Sequence, residues 1–172
     1  MAESYPTFLA GQRLTASLLT SALPQVARKT ADTSRASTTT FASDPHLTFS
    51  VEANAVYVVD GWIKYFADPT PDIQVKFDAP TGSLGEWHQV AAGSSTTTTT
   101  TVGYSVRTDT NDLTVSRNFY GVSDWDLGAV IHATLRVGST AGTFALQWAQ
   151  STSSATATIV YTDSWLRLQR IA

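Results

Sequence analysis

No cysteine occurs anywhere in the chain, which excludes a disulfide framework, a thiolate zinc site and a thiol nucleophile. Charge is scarce too: Asp, Glu, Lys and Arg make up 15% of the 172 residues, against roughly 25% in an ordinary soluble domain. Solvent-facing surfaces must therefore be built largely from Ser, Thr, Asn, Gln and Gly. No run of about 18 apolar residues is present to cross a membrane. The opening MAESYPTFLAGQRL has no basic segment leading into an apolar one, so no secretion signal is expected. The protein is expected to be made in the cytoplasm and, if it acts outside a cell, to be carried there by something else.

Motifs that bring chemistry are missing as well. His46, His88 and His132 fall on different expected strands without HxH, HxxxH or HExxH spacing, so neither a metal site nor a cofactor is expected. Nucleophile-elbow, P-loop and dinucleotide-binding glycine motifs are absent. Asp124 and Asp126 flank Trp125 in VSDWDLG, but the other ligands of a calcium loop are lacking, and the segment reads as a loop around a partly buried Trp. Asp68 and Asp72 in ADPTPD read as turn residues. The chain is expected not to be an enzyme.

The net charge of −3 is unevenly spread. Residues 1–40 carry Arg13, Arg28, Lys29 and Arg35 against Glu3 and Asp32, whereas the rest is acidic. Four separated bases are too few for the basic stripe that nucleic acid requires, so neither nucleic acid nor a membrane is an expected partner.

What is present is a change of period. Residues 12–23, QRLTASLLTSAL, place Leu14, Leu18 and Ala22 on one helical stripe with Leu19 and Leu23 beside it. Thr15 suits the N-cap and Pro24 stops the helix. Residues 30–40, TADTSRASTTT, have no period and read as a polar connector. From residue 46 onward the period is two: HLTFSV, DIQVKFD, VIHATLRV and TFALQWAQ each alternate inward and outward side chains. Further strands are expected at 55–66, 84–91, 101–108, 113–120, 156–161 and 164–171. Turn signals such as APTGS, TDTND and GSTAG separate them. The expected architecture is all-β, an antiparallel jelly-roll sandwich of about ten strands (41–172), preceded by a short helical or extended arm (1–40).

Two strands are apolar on both faces. In AVYVVDGWIKYF, Tyr57, Val59, Ile63 and Tyr65 share one face while Val56, Val58 and Trp62 share the other. Near the end of the sequence, Leu166 and Leu168 point one way while Trp165 and Ile171 flank Arg167 and Gln169 on the opposite side. A sandwich strand has one core to face, so Val56, Val58, Trp62, Trp165, Arg167 and Ile171 are candidates for a subunit interface. In the arm, Leu14, Leu18, Leu19, Leu23, Arg28 and Lys29 are candidate anchoring contacts. The threonine tract within residues 94–101 reads as a surface loop or edge strand. Trp148 is in phase with Phe144 and Leu146 and is expected in the core. Trp87, in SLGEWHQV, is the expected exposed ring for stacking on a sugar.

The segment PTFLAGQRLTASLLTSALPQVARKTADTS, the following DPHLTFSVEANAVY, and the closing GTFALQWAQSTSSATATIVYTDSWLRLQRI resemble small virion proteins encoded by phages and prophages of actinobacteria. The likeness covers about half of the chain. It implies a non-enzymatic short fibre, spike or decoration protein of the particle, anchored to capsid or tail by its N-terminal segment. It also implies a head similar to tumour-necrosis-factor-like and complement-type jelly rolls, which assemble as homotrimers with the terminal strand in an inner sheet near the threefold axis. The alternative is a carbohydrate-binding or adhesin head that recognises host cell-wall glycans through Trp87 and the threonine tract.

Overall fold

The computed structural model describes residues 5–93 and 106–172. The threonine tract lies outside the described residues, as does the first part of the strand expected at 101–108. Among the described residues there is one helix, α1 (Ala16–Ser21), and no helix is long and apolar enough to cross a membrane. The strands follow in order: β1 (Gln25–Arg28), β2 (Thr33–Arg35), β3 (Ala42–Val51), β4 (Val56–Phe66), β5 (Ile73–Asp78), β6 (Leu84–Ala92), β7 (Val106–Arg107), β8 (Thr110–Asp112), β9 (Arg117–Phe119), β10 (Leu127–Arg136), β11 (Gly142–Gln150), β12 (Thr158–Val160) and β13 (Trp165–Arg170).

The antiparallel pairs β3·β11, β4·β10, β5·β9 and β6·β8 nest one inside the next. The chain from Ala42 to Gln150 is thus one long hairpin. Rolled up, it brings β11 against β5 and β10 against β6. The result is two sheets, one ordered β3-β11-β5-β9 and the other β1-β13-β4-β10-β6-β7, with β2, β8 and β12 attached to the second. This is the all-β antiparallel sandwich that the period-two pattern predicts, wound as a jelly roll.

Alternation decides the core. Tyr57, Val59, Ile63 and Tyr65 of β4 meet Ile73, Val75 and Phe77 of β5 and Phe144, Leu146 and Trp148 of β11 in one buried cluster. The rings of Phe77 and Phe144 stack at 4.9 Å, and Trp87 meets Phe77 edge-on at 5.5 Å. Gly61 lets the last strand close in: a Cβ there would lie 2.5 Å from the Trp165 carbonyl oxygen and from Leu166 Cδ2.

Two expectations for the N-terminal region need correction. The helix is six residues long, not the span 12–23, because Gln12 is used in a turn: its N–H donates to Leu9 O and its side chain accepts from Leu9 N. Thr15 does cap it, accepting from Leu18 N. The connector, in turn, is not a linker. β1 pairs with β13 and β2 with β12, so the separation of arm from body lies near Pro24 rather than at residue 40. Polar strands at a sheet edge bury little, and their apolar period is too weak to show in sequence.

Lys29 sits at the centre of this docking. Its side chain and that of Asp44 are fully buried and paired at 2.7 Å, which ties the end of β1 to β3 in the opposite sheet. Thr33 Oγ1 accepts a second hydrogen bond from Nζ, and Asp44 also accepts from Trp148 Nε1 and from the His46 amide. Lys29 therefore cannot serve as an anchoring contact. Arg35 lies over the Trp148 ring at 3.9 Å and donates to the carbonyl oxygens of Ala42, Ser43 and Trp148.

The turn before β5 yields a prediction in pH. Asp72 has φ +40° and its carboxylate accepts from Gly121 N at 2.8 Å. Partial burial raises its carboxyl above the ordinary 3.8, outweighing that hydrogen bond. A raised carboxyl favours the fold only while it is protonated, and that contribution is lost as pH rises through the folded value. Asp72→Asn keeps an acceptor and tolerates the left-handed backbone. It is expected to raise the thermal midpoint at neutral pH and to give no gain at acid pH, where Asp72 is protonated in both states. A lower midpoint at neutral pH would contradict this assignment.

Candidate interaction face

The two sheets differ in what they show to solvent. On β3, β5, β9 and β11 no large apolar side chain is exposed, and the outward positions hold Thr48, Ser50, Gln74, Lys76, Asp78 and Gln147. The outward positions of the larger sheet include aromatic and branched residues aligned across strands. The register places Trp165 opposite Trp62, Trp62 opposite Val130, and Val130 opposite Val90. One apolar row thus crosses β13, β4, β10 and β6. Trp62 is 36% exposed, Val130 39% and Val90 42%.

The indole of Trp62 reaches sideways over Gly128, where a Cβ would lie 2.7 Å from Nε1. Glycine lets the ring lie down on the sheet and extends the row toward a notch of about 350 Å³ lined by Val90, Val106, Val122, Trp125 and Leu127. Trp125 is 61% exposed. Contiguous apolar surface of this kind is a candidate contact site.

A polar row runs beside the apolar one. Arg167 opposes Asp60, Asp60 opposes His132, and His132 opposes His88. The Arg167 guanidinium contacts both Asp60 oxygens at 3.0 Å. Near the notch, Asp126 pairs with Lys64 at 2.8 Å. That bond, outweighing some desolvation and joined by one from Tyr161, holds the Asp126 carboxyl below its ordinary range. Asp124 and Asp126 are both exposed, and Asp126 is engaged by Lys64. Among the described residues no three His, Asp or Glu side chains converge as a metal cage.

The residues proposed from sequence separate into three groups. Val56, Val58, Trp62, Trp165 and Arg167 lie on the outer face of the larger sheet; Val58, Trp62 and Arg167 are exposed and the others half-buried. Ile171, just past β13, is half-buried and its N–H donates to Val56 O. Leu14, Leu19 and Leu23 are exposed, Leu18 is half-buried, and Arg28 pairs with Asp163 at the surface.

Trp87 is a correction: at 1% exposure, with Nε1 donating to Val115 O, it belongs to the core and cannot stack on a sugar. Its polar neighbours Glu86 and His88 take the outward positions of β6, which forces Trp87 inward. The most exposed Trp among the described residues is Trp125, expected partly buried. Val90 and Val130 were also missed, because only the cross-strand register aligns them with Trp62. β13 lies inside the larger sheet, between β1 and β4.

No known protein family matches the chain, and no curated protein matches its sequence. Among solved structures, the tripod from the baseplate of bacteriophage Tuc2009 overlaps 97% of this chain and 74% of that chain, at 9% identity and a TM-score of 0.35. At that overlap no role passes from the tripod to this protein.

Proposed function

We propose that this chain is a non-enzymatic structural protein of a phage particle. It assembles as a homotrimer through the outer face of its larger sheet and attaches to the capsid or tail through residues 1–24. The observation that carries this reading is the continuous apolar surface from Trp165 through Trp62, Val130 and Val90 to Trp125, set on one sheet while the other stays polar. Such a surface is costly in water and is removed by association. Threefold stoichiometry is what the resemblance to tumour-necrosis-factor-like jelly rolls implies, and a virion role is what the resemblance to small phage virion proteins implies.

The arm supports the second half of the proposal. No residue of α1 is buried, and Phe8, Leu9, Leu14, Leu19 and Leu23 are more than half exposed. A helix of under two turns does not hold itself together in water, so its apolar residues await a partner. Contacts to the body are few, among them Tyr5 stacked on Arg170 at 3.9 Å and the Ala22 carbonyl accepting from Gln169. Removing residues 1–24 is expected to leave the thermal midpoint of the head nearly unchanged and to abolish incorporation into particles. A truncated chain that unfolds, or that still incorporates, would overturn the anchoring role.

A second reading, a head that contacts host cell-surface glycan, is favoured by one observation: the exposed Trp125 ring beside the apolar notch. Binding to host cells that is lost in Trp125→Ala, with the fold intact, would support it.

A further inference from the structure

We propose that His88 and His132 form a chelating pair for a divalent transition metal ion, Zn²⁺, Ni²⁺ or Cu²⁺, on the outer face of the larger sheet. The two residues are direct partners across β6 and β10, so both imidazoles rise from the same face. Their ring centroids are 5.2 Å apart and their planes are inclined by 34°. Neither ring has a hydrogen-bond or ion-pair partner among the described residues. Two imidazoles thus stand side by side with their ring nitrogens uncommitted.

The geometry suits a metal ion. Metal–nitrogen bonds of about 2.0–2.1 Å place two ligating nitrogens on one ion roughly 3 Å apart. Rings at this separation reach that distance by small side-chain rotations while the β-ladder holds the backbone. A hollow of about 260 Å³, bounded also by Glu86, Thr110 and Thr134, leaves room for the ion and its waters. Imidazole favours zinc, copper and nickel, whereas magnesium and calcium prefer oxygen cages. Asp60, the partner of His132 on the other side, is occupied by Arg167. The chain therefore supplies two nitrogens, and water fills the remaining positions. Motif spacing could not reveal the pair, because its members come from different strands and meet only through the register. Both ligands belong to one chain, and they stand on the face through which the proposed copies associate.

Thermal unfolding of the full chain at neutral pH tests this. Zn²⁺ and Ni²⁺ are expected to raise the midpoint and Mg²⁺ to leave it unchanged, because an ion bound only by the folded pair stabilises the fold. His88→Gln and His132→Gln are each expected to remove the shift, since a single imidazole does not chelate. Electron paramagnetic resonance of the Cu²⁺-loaded unmodified chain provides a readout independent of the variants and should show two nitrogen donors. No midpoint shift, a shift that persists in the double variant, or a copper spectrum without a nitrogen pair would overturn the proposal.

Discussion

Asp44→Ala is expected to destabilise the chain by about 3–5 kcal/mol, the usual cost of stranding one member of a buried ion pair. Lys29 Nζ would be left in a site with no solvent access, with only Thr33 Oγ1 to accept from it. Trp148 Nε1 and the His46 amide would lose their acceptor in the same step. Lys29→Met should cost a similar amount for the mirror reason. The double variant Lys29→Met/Asp44→Asn should recover part of the loss, because no charge remains buried and the amide oxygen still accepts from one of the two donors, Trp148 Nε1 or the His46 amide. Denaturant unfolding of the parent, Asp44→Asn, Lys29→Met and the double variant gives the coupling directly. Single variants within about 1 kcal/mol of the parent would show that the pair does not hold β1 to β3.

Trp62→Asp is the second large effect. Its side chain is part-exposed in one chain and is surrounded on the face by Trp165 and Val130. A carboxylate there can stay hydrated in a single chain, so the fold should survive. In an assembled form it would be buried without a partner, which costs several kcal/mol and weakens association by a factor of about 100 or more. Trp165→Asp should behave alike. Thr48→Asp, on the polar sheet, should leave assembly untouched. Leu168 is no substitute for these positions: it is 1% exposed and points into the core, so a charge there would unfold the chain before it told anything about association.

The strands with clean alternation were legible because each is paired along a single core. DIQVKFD, VIHATLRV and TFALQWAQ all put the expected residues inside. The double-sided pattern of β4 and β13 was legible for the same reason, since period two assigns Val58, Trp62 and Trp165 to the outer face with no knowledge of partners. Three features were not. β1 and β2 are polar edge strands whose place is set by pairing with β13 and β12, which lie more than a hundred residues away. Lys29 is a candidate anchoring contact in sequence because its partner Asp44 comes from another strand. Trp125 was read as partly buried because a Trp usually is, although the flanking Asp124 and Asp126 hinted at a surface turn.

The interaction face shows the same limit at a larger scale. Trp62, Val130 and Val90 belong to three strands, and each is unremarkable alone. Register makes them a row, and Gly128 lets the row spread toward Trp125. Local sequence thus gives the side of each strand a residue occupies, while the neighbours it gains there depend on long-range pairing. Function, on the proposed reading, lives in those neighbours.

The molar mass of the unmodified chain, measured by sedimentation equilibrium across micromolar concentrations, tests the central claim most directly. The proposed assembly predicts three times the 18.5 kDa of one chain. A mass of 18.5 kDa at every concentration would contradict it.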